Sequence, residues 1–494
     1  MIGNSVSRSA TLMAGVQLLV KSFDMIAVVV IARVLAPAEF GLVTLASSVL
    51  LVANSLTELP VIDVLVQRSK LEARDVDSAF TLTVLRGLLI AVVLVLISGP
   101  LAVALNDPRL ALIIKVLAIA PFAQGLASPA MVHHLRAVNY APMAQTQLFG
   151  KVVSFAAMVG LAWMTRSYWA LVAGLIAAPV IAAISTHFLA PYRPRFDTSG
   201  FKDILNFAGW VTLSRIVFTL NQQADRFFVG SILGKAPLGQ YAMGGDIAAL
   251  ATYTVASAVM QPLFAGFARM KDDRPRLMNA YLKGQQILVT LIAPIGFGLA
   301  AVALPLITLL LGETWRPAVT VIWWLAPAIA LQMMAVPIQS LAMAMGQPRI
   351  LVFREAIAFV LRLPLTLLAA WMFGLAAAAA TRSITGVLIV LINLGIAGRV
   401  LDLSLMRQIL NCHRSLIATV VMVCLVLLAQ SLTPPSANYW LRWLELGGLV
   451  LLGAITYGCT VFGLWIIQSR PSGAEEWMVD KFYYISNYIR IPNK

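Results

Sequence analysis

Long apolar runs alternate with short polar stretches along the whole chain. A bilayer core about 30 Å thick takes about 20 mostly apolar residues in one helix, and on that measure the chain predicts about fourteen membrane-spanning helices. The first six lie at approximately 10–36, 40–62, 78–98, 110–130, 143–164 and 168–189. Six more lie at roughly 204–232, 239–264, 284–311, 317–342, 351–372 and 374–398, and two follow at roughly 416–432 and 443–467. The expected fold class is an all-α polytopic membrane protein.

Composition agrees with the pattern. Of 494 residues 60% are hydrophobic and 12% charged, whereas soluble domains carry about 45–50% apolar and about 25% charged residues. A soluble fold has to present a polar exterior, and no domain-sized stretch here has the residues for one. Arg8 precedes an apolar run that continues for a full span with no convincing small-residue cleavage site, so no removable leader is expected. Cys412, Cys424 and Cys459 have neither metal nor redox spacing.

A net charge of +15 would suggest nucleic acid in a soluble chain, but the distribution of charge explains it otherwise. The loops on the N-terminal side of the alternation hold about 22 Lys and Arg, including Arg68, Lys70, Arg193, Arg195, Lys202, Arg269, Arg274, Arg276, Arg407 and Arg414. The opposite loops hold about five: Arg109, Arg166, Lys235, Arg316 and Arg442. The rich side is cytoplasmic by the positive-inside rule, which puts both termini in the cytoplasm and requires no nucleic-acid partner. Outer loops are too short to form a domain. The tail from Gln468, with Phe482, Tyr483, Tyr484 and Tyr488, reads as an amphipathic segment on the membrane surface and equally as a disordered end.

One internal repeat stands out. ARVLAPAEFGLVTLA (32–46) aligns without gaps on GSILGKAPLGQYAMG (230–244), with identities Leu35/Leu233, Ala38/Ala236 and Gly41/Gly239. Both stretches occupy the turn between the first and second helices of a six-helix set, and parallel repeats of this kind are related by an axis along the membrane normal. The expected domains are a six-helix lobe at 1–195, a second at 196–405, and two further helices with a tail at 406–494.

The run ARVLAPAEFGLVTLASSV resembles the polysaccharide transporter family of the multidrug/oligosaccharidyl-lipid/polysaccharide exporter superfamily. ELPVIDVLVQRSK, DRFFVGSILGKAPLGQYAMG and LLGETWRPAV resemble it as well, over about residues 5–400. The resemblance implies twelve to fourteen helices in two lobes around a central cavity. It implies export of polyprenyl-diphosphate-linked oligosaccharide repeat units across a bacterial inner membrane, in exopolysaccharide or lipopolysaccharide biosynthesis. Expected partners are that lipid-linked oligosaccharide, membrane lipids, and a polysaccharide polymerase with its chain-length machinery.

Charges inside the spans are the informative residues, because each costs about 2.5–3.5 kcal/mol at a helix centre and usually faces a bundle interior or water. Arg215, Thr219, Gln222 and Arg226 fall within about 40° of one another on one helix. Gln17, Lys21 and Asp24 form a second stripe, and Ser47, Asn54 and Glu58 a third. Candidate substrate-binding residues are Arg215, Arg226, Gln222, Lys21, Arg86, Arg362 and Arg382, since Arg pairs its planar fork with phosphate oxygens. Candidate ion-coupling residues are Asp24, Glu58 and Asp225. The same residues also read as internal ion pairs, Lys21 with Asp24 and Arg226 with Asp225 or another helix, and Arg33 as a snorkelling interface residue.

Other motifs carry less. GSILGK (230–235) is one residue short of a phosphate-binding loop and lacks the following Ser or Thr. His133 and His134 have no further ligand at metal spacing, and no cofactor or catalytic site is expected. A cation-coupled multidrug extruder is the alternative within transport, disfavoured because the spans carry more bases than acids. A membrane polysaccharide polymerase or ligase is the alternative outside it, disfavoured by the short outer loops.

Overall fold

The computed structural model describes residues 2–57, 61–67, 70–198, 201–270, 272–346, 349–433, 436–471, 473–476 and 478–479; the side chains of residues 2–11, 202–215 and a few further positions lie outside that description. Among the described residues every regular element is helical, and ten helices are long and apolar enough to cross a membrane.

Contacts divide the chain into two compact units. The first comprises Met1–Ala242, Glu355–Phe359 and Ala370–Leu375, and the second Met243–Arg354, Val360–Ala369 and Ala376–Lys494. In the first unit the helices are α1 (Ile2–Val34), α2 (Pro37–Leu56), α3 (Val61–Gln67), α4 (Ala73–Ala104), α5 (Arg109–Leu117) and α6 (Ile119–Gly125). They continue with α7 (Met131–Arg136), α8 (Ala141–Thr165), α9 (Trp169–Leu189) and α10 (Phe201–Leu233). Helix α11 (Lys235–Arg269) begins in the first unit and continues into the second. The second unit adds α12 (Arg274–Ala301), α13 (Ala303–Leu310), α14 (Pro317–Gln332), α15 (Pro337–Ala344), most of α16 (Arg349–Leu401), α17 (Leu405–Leu410), α18 (His413–Leu432) and α19 (Tyr439–Ile467).

Each predicted span falls on one of these helices or on two consecutive ones. Proline explains the breaks, because its ring collides with the carbonyl four residues earlier. Pro121 targets Leu117, where α5 ends; Pro305 targets Ala301, where α12 ends; Pro337 targets Met333, just past α14. Pro179, Pro294, Pro327 and Pro364 stay inside helices. The 53 residues of α16 are interrupted at Gly374, whose φ of 77° and ψ of −157° leave the helical region. A straight helix of that length would reach about 80 Å, against a core of about 30 Å, so the element is two spans that meet at this glycine.

Packing within each unit relies on small residues, as is usual where lipid gives helices no hydrophobic reason to associate. In the first unit a Cβ on Gly87 would stand 2.5 Å from the Pro121 carbonyl oxygen, and one on Gly125 2.5 Å from that of Thr83. Helices α4 and α6 are thus in backbone contact. In the second, a Cβ on Gly296 would meet the Ala326 carbonyl at 2.6 Å, joining α12 to α14. Apolar side chains such as Trp163, Phe188, Trp371 and Phe373 face outward, as a lipid-facing surface requires.

Candidate functional site

Two helices of the first unit carry a polar ladder across their contact. On α1 the side chains Gln17, Lys21 and Asp24 recur at helical spacing; on α8, Gln147 and Lys151 do the same. Gln17 donates through Nε2 to the side-chain Oε1 of Gln147 at 3.1 Å. One turn further along α8 and about two along α1, Asp24 accepts from Lys151 through Oδ1 and faces Lys21 through Oδ2 at 3.6 Å. Lys21 and Asp24 therefore pair, as one of the sequence readings has it, and a second lysine joins them. Lys151 is not among the residues the sequence singles out, although Gln147 and Lys151 repeat the signal that marks Gln17 and Lys21.

Helix α10 carries another polar face. Asn221 is buried and donates to Glu355 at 2.9 Å, and Gln223 accepts from Ser48 of α2 at 3.1 Å. Asp225 is buried on this helix, while Gln222 and Arg226 are half-buried and one turn apart. Arg86 of α4 reaches α2, donating through Nε to Thr57 at 3.2 Å and through Nη2 to the Asn54 carbonyl at 2.9 Å. Glu58 lies outside the described residues, and Arg215 is on α10 with its side chain outside the description. Arg362 and Arg382 belong to the second unit, the former buried and the latter half-buried, on the two arms of α16 either side of Gly374.

The turn after α4 gathers charge at the end of the first unit. Asp107 is buried, accepts from Arg109 Nη2 at 2.8 Å and from the Arg109 backbone at 2.9 Å, and pairs with Lys235 at the start of α11. These hydrogen bonds to Arg109, together with Lys235, hold the Asp107 carboxyl well below the usual carboxylate range against the opposing effect of burial. Lys235 is the last residue of GSILGK; it closes a structural turn.

In the second unit the chain after α19 turns sharply at Ser469 and Arg470, both at positive φ. Residues Gly473–Glu475 then run back among α12 and α18. Glu475 is fully buried and pairs with Arg414 at 3.1 Å. Gln286 donates to the same carboxylate at 3.2 Å and accepts from the Ala474 backbone at 3.3 Å. Arg414, which the sequence places among the loop charges, is an interior residue. Cys412 beside it is buried, and burial pushes its thiol up to about 12. Among the described residues no group of His, Cys, Asp and Glu has the arrangement of a metal site.

Comparison with known proteins bears on this arrangement. The chain is 25% identical over 303 residues to the succinoglycan biosynthesis transport protein ExoT of Rhizobium meliloti (strain 1021), covering 61% of each chain. It is 23% identical over 323 residues to the lipopolysaccharide biosynthesis protein WzxC of Escherichia coli (strain K12), covering 64% of this chain and 65% of that one. The matched stretch thus spans somewhat under two thirds of these relatives. In fold the chain is similar to the lipid II flippase MurJ in an inward closed conformation, with TM-score 0.75, 12% identity, and coverage of 93% of this chain and 100% of that one. A multidrug-resistance MATE family transporter in an inward-facing conformation is less similar, at TM-score 0.58 and 12% identity, with 81% and 98% covered. The family model described as polysaccharide biosynthesis protein matches residues 30–320. With more than half of its length matched, and the resemblance of its turn motifs to polysaccharide transporters borne out, the chain belongs to the polysaccharide biosynthesis protein family.

Proposed function

We propose that this protein moves polyprenyl-diphosphate-linked oligosaccharide units from the cytoplasmic to the outer leaflet of a bacterial inner membrane, by alternating access between two six-helix lobes. The observation that carries the reading is the surplus of bases within membrane-length helices. Within the predicted spans Lys21, Arg33, Arg86, Lys115, Lys151, Arg215, Arg226, Arg354, Arg362 and Arg382 outnumber Asp24, Glu58, Asp225, Asp246, Glu355 and Glu445. A diphosphate head needs positive charge along its route, and sugars need the amides and hydroxyls that share these stripes. A cationic drug would need the opposite sign, so a multidrug extruder fits less well.

The head starts on the negative side of the membrane, so its outward movement is downhill by about 2.3 kcal/mol per charge per 100 mV. Transport on this reading draws on the membrane potential; where an inward ion contributes, Glu58 and Asp225 are the carboxylates to receive it. The reading places both termini in the cytoplasm and the polymerase and chain-length machinery downstream on the outer face. It is tested by depleting the protein in the producing cell and probing spheroplasts with a membrane-impermeant sugar-binding protein. Lipid-linked units should build up beyond the probe's reach; if they stay fully reachable from outside, the protein does not move them.

A further inference from the structure

The contact between α1 and α8 contains more charge than a structural ion pair needs. Two ammonium groups, Lys21 and Lys151, share the single carboxylate of Asp24. Lys21 lies within the apolar span Gly15–Val34 and Lys151 within Ala141–Thr165, each well away from the ends. The trio keeps one positive charge in a part of the membrane where uncompensated charge is costly and ionisable residues face a partner or water. Their side chains are exposed at the surface of the helix pair to different extents, 47% for Lys21, 34% for Asp24 and 20% for Lys151. An ammonium has three donors, and among the described residues neither lysine has a hydrogen-bond acceptor beyond Asp24.

The flanking contacts hold the trio in place. Gln17 and Gln147 bond about one turn to one side. On the other side the Phe23 and Phe155 rings stand 5.3 Å apart, and Ser154 donates to the Gly174 carbonyl at 2.7 Å, tying α8 to α9. Asp24 thus fixes two lysines beside each other with donors to spare. Both its oxygens face an ammonium, so a coupling cation would have to displace one of them.

We propose that Lys21 and Lys151, held by their shared counter-ion Asp24, bind a phosphoryl group of the diphosphate head, the two ammonium groups against one carboxylate supplying the unbalanced charge. Replacing Lys151 by Gln leaves a neutral Lys21–Asp24 pair, which keeps the helix contact and removes the attraction for an anion. This rests on the transport reading above, in that the anion is taken to be the cargo head.

The test compares binding of a polyprenyl diphosphate with that of the uncharged polyprenol of equal length, using the full chain in nanodiscs and inorganic pyrophosphate as competitor. Wild type should prefer the diphosphate, and free pyrophosphate should erode the preference, showing that the head and not the tail is read. Lys151→Gln and Lys21→Gln should each lower the preference about tenfold or more, with Lys151→Arg retaining it and thermal midpoints unchanged. A Lys151→Gln protein that keeps the full preference, or a wild type that has none, overturns the site. Transport of the full cargo is scored separately. A preference that Lys151→Gln abolishes, in a protein that moves no cargo, upholds the anion site and rejects the transport reading.

Discussion

Gly41 and Gly239 meet each other's helix through equivalent atoms. A Cβ on Gly41 would stand 1.8 Å from the Lys235 carbonyl oxygen, and one on Gly239 2.0 Å from that of Pro37. Positions 37 and 41 align on 235 and 239 in the internal repeat, so the contact is reciprocal, as two related elements crossing at a local axis would make it. Three sequence identities are thin evidence for a repeat, and this contact supplies a physical reason for one of them. A side chain at either position would force the two backbones apart.

Alanine at Gly41 or Gly239 is therefore expected to lower stability by about 1–3 kcal/mol, the usual cost of overpacking. Gly99 is the control, since nothing lies within 4 Å of a Cβ placed there; within α4, alanine should be neutral or stabilising by up to about 1 kcal/mol. Thermal unfolding of the three variants in detergent decides it. Equal midpoints for all three would mean that the glycine contact does not hold α2 against α11.

The buried pair of Arg414 and Glu475 makes a second prediction. Removing one partner of a buried pair typically costs about 3–5 kcal/mol, because the other charge is left uncompensated. Glu475→Gln should fall in that range and release the segment around Gly473–Glu475. Hydrogen exchange there should rise while that in α12 changes little. Unchanged protection in a destabilised variant would contradict a tail held by this pair.

Asp107 gives a pH prediction with a definite sign. Its carboxyl in the folded protein titrates below the unfolded value of about 3.9. A depressed carboxylate contributes stability above the unfolded value and loses it as pH falls through the folded one. The stability difference between wild type and Asp107→Asn should thus stay constant from pH 8 to 5 and shrink only below about pH 4. A difference that has gone by pH 6 would rule out the clamp of Arg109 and Lys235.

Much of this protein is legible from its sequence because the bilayer fixes helix length so narrowly. The spans follow from apolar run length, including the two at 351–372 and 374–398 that the structure joins as α16, while the break at Gly374 is read from its backbone angles. Proline alone does not say which helices break: Pro121 and Pro337 lie at breaks, while Pro179 and Pro294 are accommodated. The polar stripes are visible as periodicity, but their partners are set by helix neighbours that no local pattern encodes. Lys151 against Asp24, Asn221 against Glu355 and Arg414 against Glu475 are therefore read from packing. Arg414 shows the limit most clearly, since a basic residue just before a span looks like a loop charge until its buried partner is known.

Topology is open to direct test through the charge asymmetry of the loops. A reporter fused after Arg166 should report the outer side, and one fused after Arg195 the cytoplasm. The reverse pattern would invert the proposed direction of transport along with the orientation.

The direction and driving force of transport follow from the sign of the membrane-embedded charges, and they can be measured together. The purified protein is placed in proteoliposomes with fluorescent polyprenyl-diphosphate-linked oligosaccharide, and a potential is imposed with potassium and valinomycin. The cargo should cross faster toward the positive side, slow when the potential is collapsed or reversed, and proceed without ATP. A rate indifferent to potential and to proton and sodium gradients, yet dependent on ATP, would contradict potential-driven movement of an anionic head through a cationic path.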